Sequence, residues 1–198
     1  MNTNNVVSNN EDESNVSIKW GKTLERLLNR GRDKRIFVQK AEMVGVMQIA
    51  FISDTWKHAI KAVQKDSVKT GMGGQFGNKG AVALRLRIFE NTICFTCAHL
   101  TAGHSKPKER VEDIVQIHKK CFQQSKEGVQ NEMEIEESHY KFFFGDLNFR
   151  IAAEYKEVRE LLDSVAGDNQ RKKEVVGKLL ENDQLLKICK EPGVPYQL

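Results

Sequence analysis

The spacing of apolar positions along this chain switches between strand-like and helix-like periods, and the switches predict its elements. Short apolar or alternating runs predict strands at Arg35 to Gln39, Val44 to Ser53, Ala81 to Phe89, Thr92 to Ala98 and Lys141 to Phe144. The run Phe142 to Phe144 is uninterrupted, the pattern of a strand buried on both faces. Helical spacing predicts an amphipathic helix over Ile18 to Asn29, ended by Gly31, and a helix near Thr55 to Val63. A further helix fills Pro107 to Cys121, with proline in its first turn and Val111, Ile114, Val115 and Ile117 at near-helical intervals. Tyr155 to Val165 and Asn169 to Leu180 each place leucines and valines on one face. Met1 to Ser17 has a disordered composition, and the acidic stretch Ser125 to Ser138 reads as an exposed loop. No internal repeat is visible, and one domain accommodates the 198 residues.

Composition narrows the classes of function only a little. A formal charge of +4, spread along the chain, favours anionic partners weakly and does not separate nucleic acid from anionic lipid. Cys94, Cys97, Cys121 and Cys189 lack paired metal spacing, and Cys94-x-x-Cys97 lies inside a strand, so free thiols in a reducing cytosol are expected. The Asn-, Ser- and Glu-rich start has no apolar signal core, and no apolar run reaches spanning length. These features predict a soluble cytoplasmic protein whose membrane contact, if any, is peripheral. For the helix at Ile18 to Asn29, packing on the domain edge is expected ahead of lipid contact.

Three segments carry candidate chemistry. The apolar run ending in Gly145-Asp146-Leu147-Asn148-Phe149-Arg150 delivers a carboxylate and a carboxamide to a strand mouth, and strand alternation would point Asp146 and Asn148 the same way. An Asx-type turn is the plainer alternative for an isolated Asp-x-Asn. Thr70 to Gly80 contains five glycines with Lys79 near its end, a loop able to turn backbone N–H groups on an anion, although it lacks Walker spacing and leads into a strand. Ile93 to Leu100 is a strand that ends in His99, with Thr101, Gly103 and His104 beyond it. Polar tips of neighbouring strands often share one crevice, so His99 and Asp146 are expected to meet.

On these residues the chain resembles the inositol polyphosphate 5-phosphatases, within the superfamily that includes deoxyribonuclease I and apurinic endonucleases. The resemblance runs from about Lys34 to Gly193. It passes through Met43-Val44-Gly45-Val46, read as strand, then Gly77 to Gly80, Ala98 to His104, Arg110, Gly145 to Arg150, and Leu179 to Leu185. Gly-Asp-Leu-Asn is shared with the nucleases, whereas Gly-Asn-Lys-Gly points to the phosphatases. The implied fold is α/β (α+β), a partial deoxyribonuclease-I-like two-sheet sandwich flanked by helices, occupying residues 18–198 behind a disordered tail at 1–17. The implied activity is Mg²⁺-dependent hydrolysis of the 5-phosphate of a phosphoinositide lipid or soluble inositol polyphosphate, with no nucleic acid expected.

By the same resemblance His99, Asp146 and Asn148 are catalytic, and Asn78, Lys79, His104, Arg110 and Arg150 bind substrate. Asp146 would orient or deprotonate the water, Asn148 would hydrogen-bond the scissile phosphate, and His99 would donate to it. Arg110 and Arg150 could instead brace the site, the better reading for Arg150. Several family elements have no matching positions: an early Asn-bearing strand, the Phe-Gln-Glu whose Glu holds magnesium, and a late Trp-Cys-Asp-Arg with its Asp-His pair. The metal ligands are therefore unknown, since the expected Glu is absent. Either a truncated active phosphatase or a shortened paralogue without chemistry would give this pattern. Half of a sandwich is also expected to expose apolar surface that its other half would cover. A nuclease, and an inactive module binding inositol phosphates or a protein, are the alternative functions.

Overall fold

The computed structural model describes residues 16–71, 76–123 and 135–191. In chain order the elements are α1 (Val16–Leu28), β1 (Arg35–Met43), β2 (Val46–Ser53), a 3-10 turn (Asp54–Ala59), β3 (Ile60–Gly71) and β4 (Phe76–Ile88). They continue with β5 (Asn91–His99), α2 (Pro107–Lys120), a 3-10 turn (Ile135–Glu137), β6 (Tyr140–Asp146), α3 (Tyr155–Asp163), α4 (Asn169–Leu180) and α5 (Gln184–Ile188). The strands form two sheets: the β1-β2 hairpin, and a four-stranded sheet ordered β3-β4-β5-β6. Pairing is antiparallel except between β5 and β6, which run parallel with α2 as the crossover between them.

Strand β4 is the spine, because both of its faces are covered. Ala81 and Ala83 point toward α2, where they join Cys94, Ala98, Ile114 and Ile117 in one apolar cluster. Val82 and Leu84, on the opposite pleat, pack with Ala41 and Val46 of the β1-β2 hairpin in a second cluster. All four β4 residues are essentially inaccessible to solvent, which is why this segment reads as a continuous apolar run. Arg85 is the polar intruder on the α2 side. Its Nε donates to Gln64 at 2.8 Å, and its guanidinium lies 4.5 Å from the centre of the Phe122 ring.

Several sequence expectations are corrected. Thr55 to Val63 is not an α-helix: a 3-10 turn ends at Ala59, and β3 starts at Ile60. β3 escaped notice because it is an edge strand whose apolar residues keep no clean period. Its side chains are mostly exposed or half-buried, and backbone pairing with β4 holds it in place. Val44 and Gly45 form the turn of the β1-β2 hairpin rather than strand, with Gly45 at φ 78°. α1 already includes Val16 and Ser17, while residues 1–15 of the proposed tail lie outside the described residues. Of the acidic loop, residues 124–134 also lie outside them, and Ile135 is not loop-like at all, being buried against α2 in the first cluster.

The largest correction concerns β6. The run Phe142 to Phe144 is not buried: Phe142 is 51% and Phe144 42% exposed, since β6 closes one side of the sheet and has no strand beyond it among the described residues. Phe143 turns inward, stacking 6.0 Å from His118 of α2. Phe142 stacks on Phe95 at 5.2 Å on the face that the short β1-β2 hairpin fails to reach. Along this open edge a cavity of about 690 Å³ runs past Phe142, Phe144 and Leu147 to Leu185 and Ile188 of α5. Apolar surface therefore stands open along this edge among the described residues.

The two faces make opposite predictions. Leu84→Ala is expected to cost about 2–5 kcal/mol because it leaves a cavity between the sheets. Phe142→Ala is expected to cost less than about 1 kcal/mol because its ring is already half in water. Urea denaturation of the two variants measures the difference.

Candidate active site

The register of the four-stranded sheet aligns Lys69, Gly80, His99 and Asp146 in one row across the strands. Two of these positions depend on glycines that permit unusually close strand contact. Gly80 has φ 139°, and a Cβ on it would stand 2.0 Å from the Val68 carbonyl oxygen. Gly145 has φ 127°, and its Cβ would stand 2.1 Å from the Ala98 carbonyl oxygen. No side chain fits either place. Each glycine sits beside a residue of the candidate site, Lys79 in one case and Asp146 in the other.

Lys79, His99 and Asp146 converge. Lys79 Nζ and His99 Nε2 lie 2.5 Å apart, and Nε2 lies 3.6 Å from Asp146 Oδ2. The Asp146 side chain is 66% exposed, so water reaches it, while His99 is more enclosed at 29%. Asn148 joins them by a route other than strand alternation. β6 ends at Asp146, and Asn148 takes the left-handed conformation at φ 57°. Its backbone N–H donates to Asp146 Oδ1 at 3.2 Å, so the plainer Asx-turn reading is the one observed, although no helix follows directly. Both ends of the Asn148 carboxamide are engaged: Nδ2 donates to the Leu100 carbonyl at 3.0 Å, and Oδ1 accepts from Arg150 at 2.9 Å.

Of the remaining candidates, Asn78 is exposed beside Lys79 on β4. Residues 72–75 of the glycine loop lie outside the described residues. The exposed His104 accepts a hydrogen bond at its carbonyl, from Gln184. Arg110 faces inward and is wholly buried on α2, donating to the carbonyls of Thr101 at 3.2 Å and Gly103 at 2.7 Å. Burial lowers its pKa, and Arg150 lowers it further. On the same helix Asp113 accepts the Thr101 N–H at 2.8 Å. Together the two side chains hold the turn after His99 in shape.

Gln184 is the residue that sequence reasoning missed. Its Oε1 accepts from Arg110 at 2.6 Å and from the Arg150 backbone N–H at 3.0 Å, and its Nε2 donates to the His104 carbonyl at 3.1 Å. One carboxamide therefore joins α2, the turn after β5 and the exit of β6. Asp183 before it caps α5 through the Leu186 N–H at 2.8 Å, and Gln184 N–H donates to the Arg150 carbonyl at 3.0 Å. The only sequence signal was its place within the Leu179 to Leu185 resemblance.

The described residues do not by themselves make a metal centre. No group of three or more His, Cys, Asp and Glu side chains is placed to hold a cation among them. Asp146 supplies one carboxylate, and its neighbours His99 and Lys79 offer an imidazole nitrogen and a positive charge in place of further oxygens. The four cysteines are free, with Cys94, Cys121 and Cys189 buried, and burial raises the Cys97 and Cys121 thiols.

Two sheets with helices packed on them, and a polar cluster at strand ends, define a deoxyribonuclease-I-like fold. The comparisons agree: residues 2–193 match the model of endonuclease/exonuclease/phosphatase family 2, and the chain belongs to that family. It is 38% identical over 167 residues to human (Homo sapiens) synaptojanin-2, covering 84% of this chain and 10% of that protein. With synaptojanin-1 of Rattus norvegicus it shares 34% identity over 205 residues, covering 100% of this chain and 12% of that protein. The chain thus spans about a tenth of the length of these relatives. Among solved structures it resembles the inositol polyphosphate 5-phosphatase domain of SPsynaptojanin in complex with inositol (1,4)-bisphosphate and calcium ion. That match has a TM-score of 0.71 at 28% identity, covering 92% of this chain and 49% of that one. Cimex nitrophorin, at 14% identity and TM-score 0.57, shares the fold alone.

Two substitutions test this frame. Gly145→Ala drives a methyl into the Ala98 carbonyl at an unfavourable φ, and a loss of at least about 2 kcal/mol in urea denaturation is expected. Gln184→Leu leaves the buried Arg110 without one acceptor and frees the β6 exit. A loss of about 1–3 kcal/mol is expected, with faster amide exchange at Arg150.

Proposed function

We propose that this chain carries the phosphate-binding half of an inositol polyphosphate 5-phosphatase, a hydrolase acting on the 5-phosphate of an inositol headgroup, in phosphoinositide lipid or soluble form. The meeting of Lys79, His99 and Asp146 at one set of strand ends is the observation that carries this reading. Family membership and the relative solved with inositol (1,4)-bisphosphate support it.

The geometry supports the following roles. Lys79 neutralises phosphate charge and, when an anion takes its ammonium, releases His99 Nε2 to face that anion. His99 then serves as a hydrogen-bond donor to that anion, with Asp146 alongside. The exposed Asp146 carboxylate receives or orients the attacking water. Asn148 has one Nδ2 hydrogen committed to Leu100, which leaves the other for a phosphate oxygen, and Arg150 fixes the amide from behind. Arg110 and Gln184 act as positioning residues, and the exposed Asn78 and His104 stand where a ring phosphate would pass.

A divalent cation belongs to this proposal because the solved relative contains calcium; Mg²⁺ is the expected ion. Asp146 and Asn148 do not suffice to hold it, so another carboxylate from outside the described residues is required. That requirement favours a second reading, in which the chain binds inositol phosphates without turning them over. A nuclease of the same family is the remaining alternative. The cytoplasmic setting with peripheral membrane contact is part of the proposal too.

The test compares phosphate release from inositol trisphosphate and from phosphatidylinositol bisphosphate, with Mg²⁺, by the parent and by Asp146→Ala. A fall of about 10²–10⁴ is expected for the variant, while Lys79→Ala should mainly raise KM. Equal release by parent and Asp146→Ala would remove Asp146 from the chemistry. Headgroup binding without release selects the binding module, and plasmid nicking sensitive to Asp146→Ala selects the nuclease.

A further inference from the structure

Helix α1 presents an apolar stripe to solvent although the helix is already fastened to its own domain. Ser17 Oγ accepts from Lys40 Nζ at 2.9 Å near its start. Beyond its end Asn29 bonds both backbone groups of Arg35, accepting its N–H at 2.6 Å and donating to its carbonyl at 2.9 Å. Between these ties Gly21 lies over Ile49 of β2. The anchored face is thereby fixed, and the outward one is fixed with it.

Outward stand Val16 at 67%, Trp20 at 55% and Leu27 at 43% exposure, spaced so that they share one side of the helix. No α1 residue is fully buried, so the expected packing role accounts for only part of this helix. Lys19, Lys22 and Arg26 recur at helical spacing along the border of the stripe. From Val16 to Arg35 the basic residues are Lys19, Lys22, Arg26, Arg30, Arg32, Lys34 and Arg35, against Glu25 and Asp33, a net +5. The whole chain carries only +4, so its positive charge is concentrated here and the rest is slightly acidic.

We infer that α1 is an interfacial anchor that lies flat on an anionic lipid bilayer, with Val16, Trp20 and Leu27 in the acyl boundary and the flanking Lys and Arg side chains among the headgroup phosphates. Tryptophan beside leucine fits the interface between headgroup and hydrocarbon. The basic border fits anionic lipid by charge. A protein partner fits less well, because lysine is depleted at the centres of protein interfaces, and here lysine and arginine adjoin the apolar residues directly. This surface is separate from the Lys79, His99 and Asp146 crevice, and the inference stands whether or not that crevice hydrolyses inositol phosphates.

The chain contains two tryptophans, so Trp56→Phe makes Trp20 the sole reporter. Mixed with phosphatidylcholine vesicles containing phosphatidylserine, this full-length variant should show a blue-shifted Trp20 emission and co-sediment with the lipid. Both signals should be far weaker with phosphatidylcholine alone and should fall as salt rises. In sedimentation, Trp20→Ser with Leu27→Ser, and separately Lys19→Glu with Arg26→Glu, should each lower binding about tenfold or more, with unchanged circular dichroism. Lys79→Ala should bind phosphatidylserine vesicles as the parent does. An unshifted Trp20 in the presence of these vesicles overturns the proposal, as does binding lost on Lys79→Ala but kept in both α1 double variants. A shift that appears without lipid as protein concentration rises also overturns it, in favour of a second copy of the chain.

Discussion

Backbone-to-backbone approach at two glycines is the constraint on which the rest of this structure depends. Parallel pairing of β5 with β6 sets His99 opposite Asp146, and antiparallel pairing of β4 with β5 sets Gly80 opposite His99. These registers bring an imidazole and a carboxylate to one row, but only because Gly145 and Gly80 have no Cβ to push the neighbouring strands away. Lys79 and Asp146 are each one residue from such a contact. The polar triad is thus a product of sheet register, and the glycines of the two motifs serve strand packing at least as directly as they serve any ligand.

Around that row the sandwich is unevenly covered. β4 has apolar neighbours on both faces, whereas β6 has them on one, with Phe142 and Phe144 left in water. The difference follows from the size of the second layer: two strands can cover Val82 and Leu84 but do not extend to Phe95 and Phe142. The solved 5-phosphatase domain that this chain resembles is about twice as long as the part it matches. Among the described residues, the open side of β6 and Asp146, which has no cation-binding group of carboxylates around it, lie at the same edge of the sheet.

The polar support of the crevice is economical. Arg110 is buried with carbonyl and carboxamide acceptors in place of a carboxylate hydrogen-bond partner; Nη1 holds the turn after His99 and Nη2 meets Gln184, while Nε has no hydrogen-bond partner among the described residues. Gln184 completes it, and as a neutral side chain it can accept from two donors while donating to His104. Cutting this link would loosen the β6 exit, where Arg150 steadies the Asn148 carboxamide.

The sequence by itself determined the elements that carry strong local signals. α2 and α4 begin at Pro107 and Asn169 as proline placement and apolar spacing indicate, and β4 and β5 lie where continuous or alternating apolar runs predict strands. It also determined the motif residues, since Gly-Asp-Leu-Asn and Gly-Asn-Lys-Gly are legible without coordinates. Tertiary structure decided everything that depends on who stands beside whom. β3 has almost no pattern of its own because it is held by the backbone of β4, and Phe142 to Phe144 looks buried although its covering layer is not among the described residues. The inward turn of Arg110 and the triple role of Gln184 rest on contacts between segments up to 80 residues apart. Apolar periodicity records how often a side chain is shielded from water, but it carries no record of the partner that does the shielding.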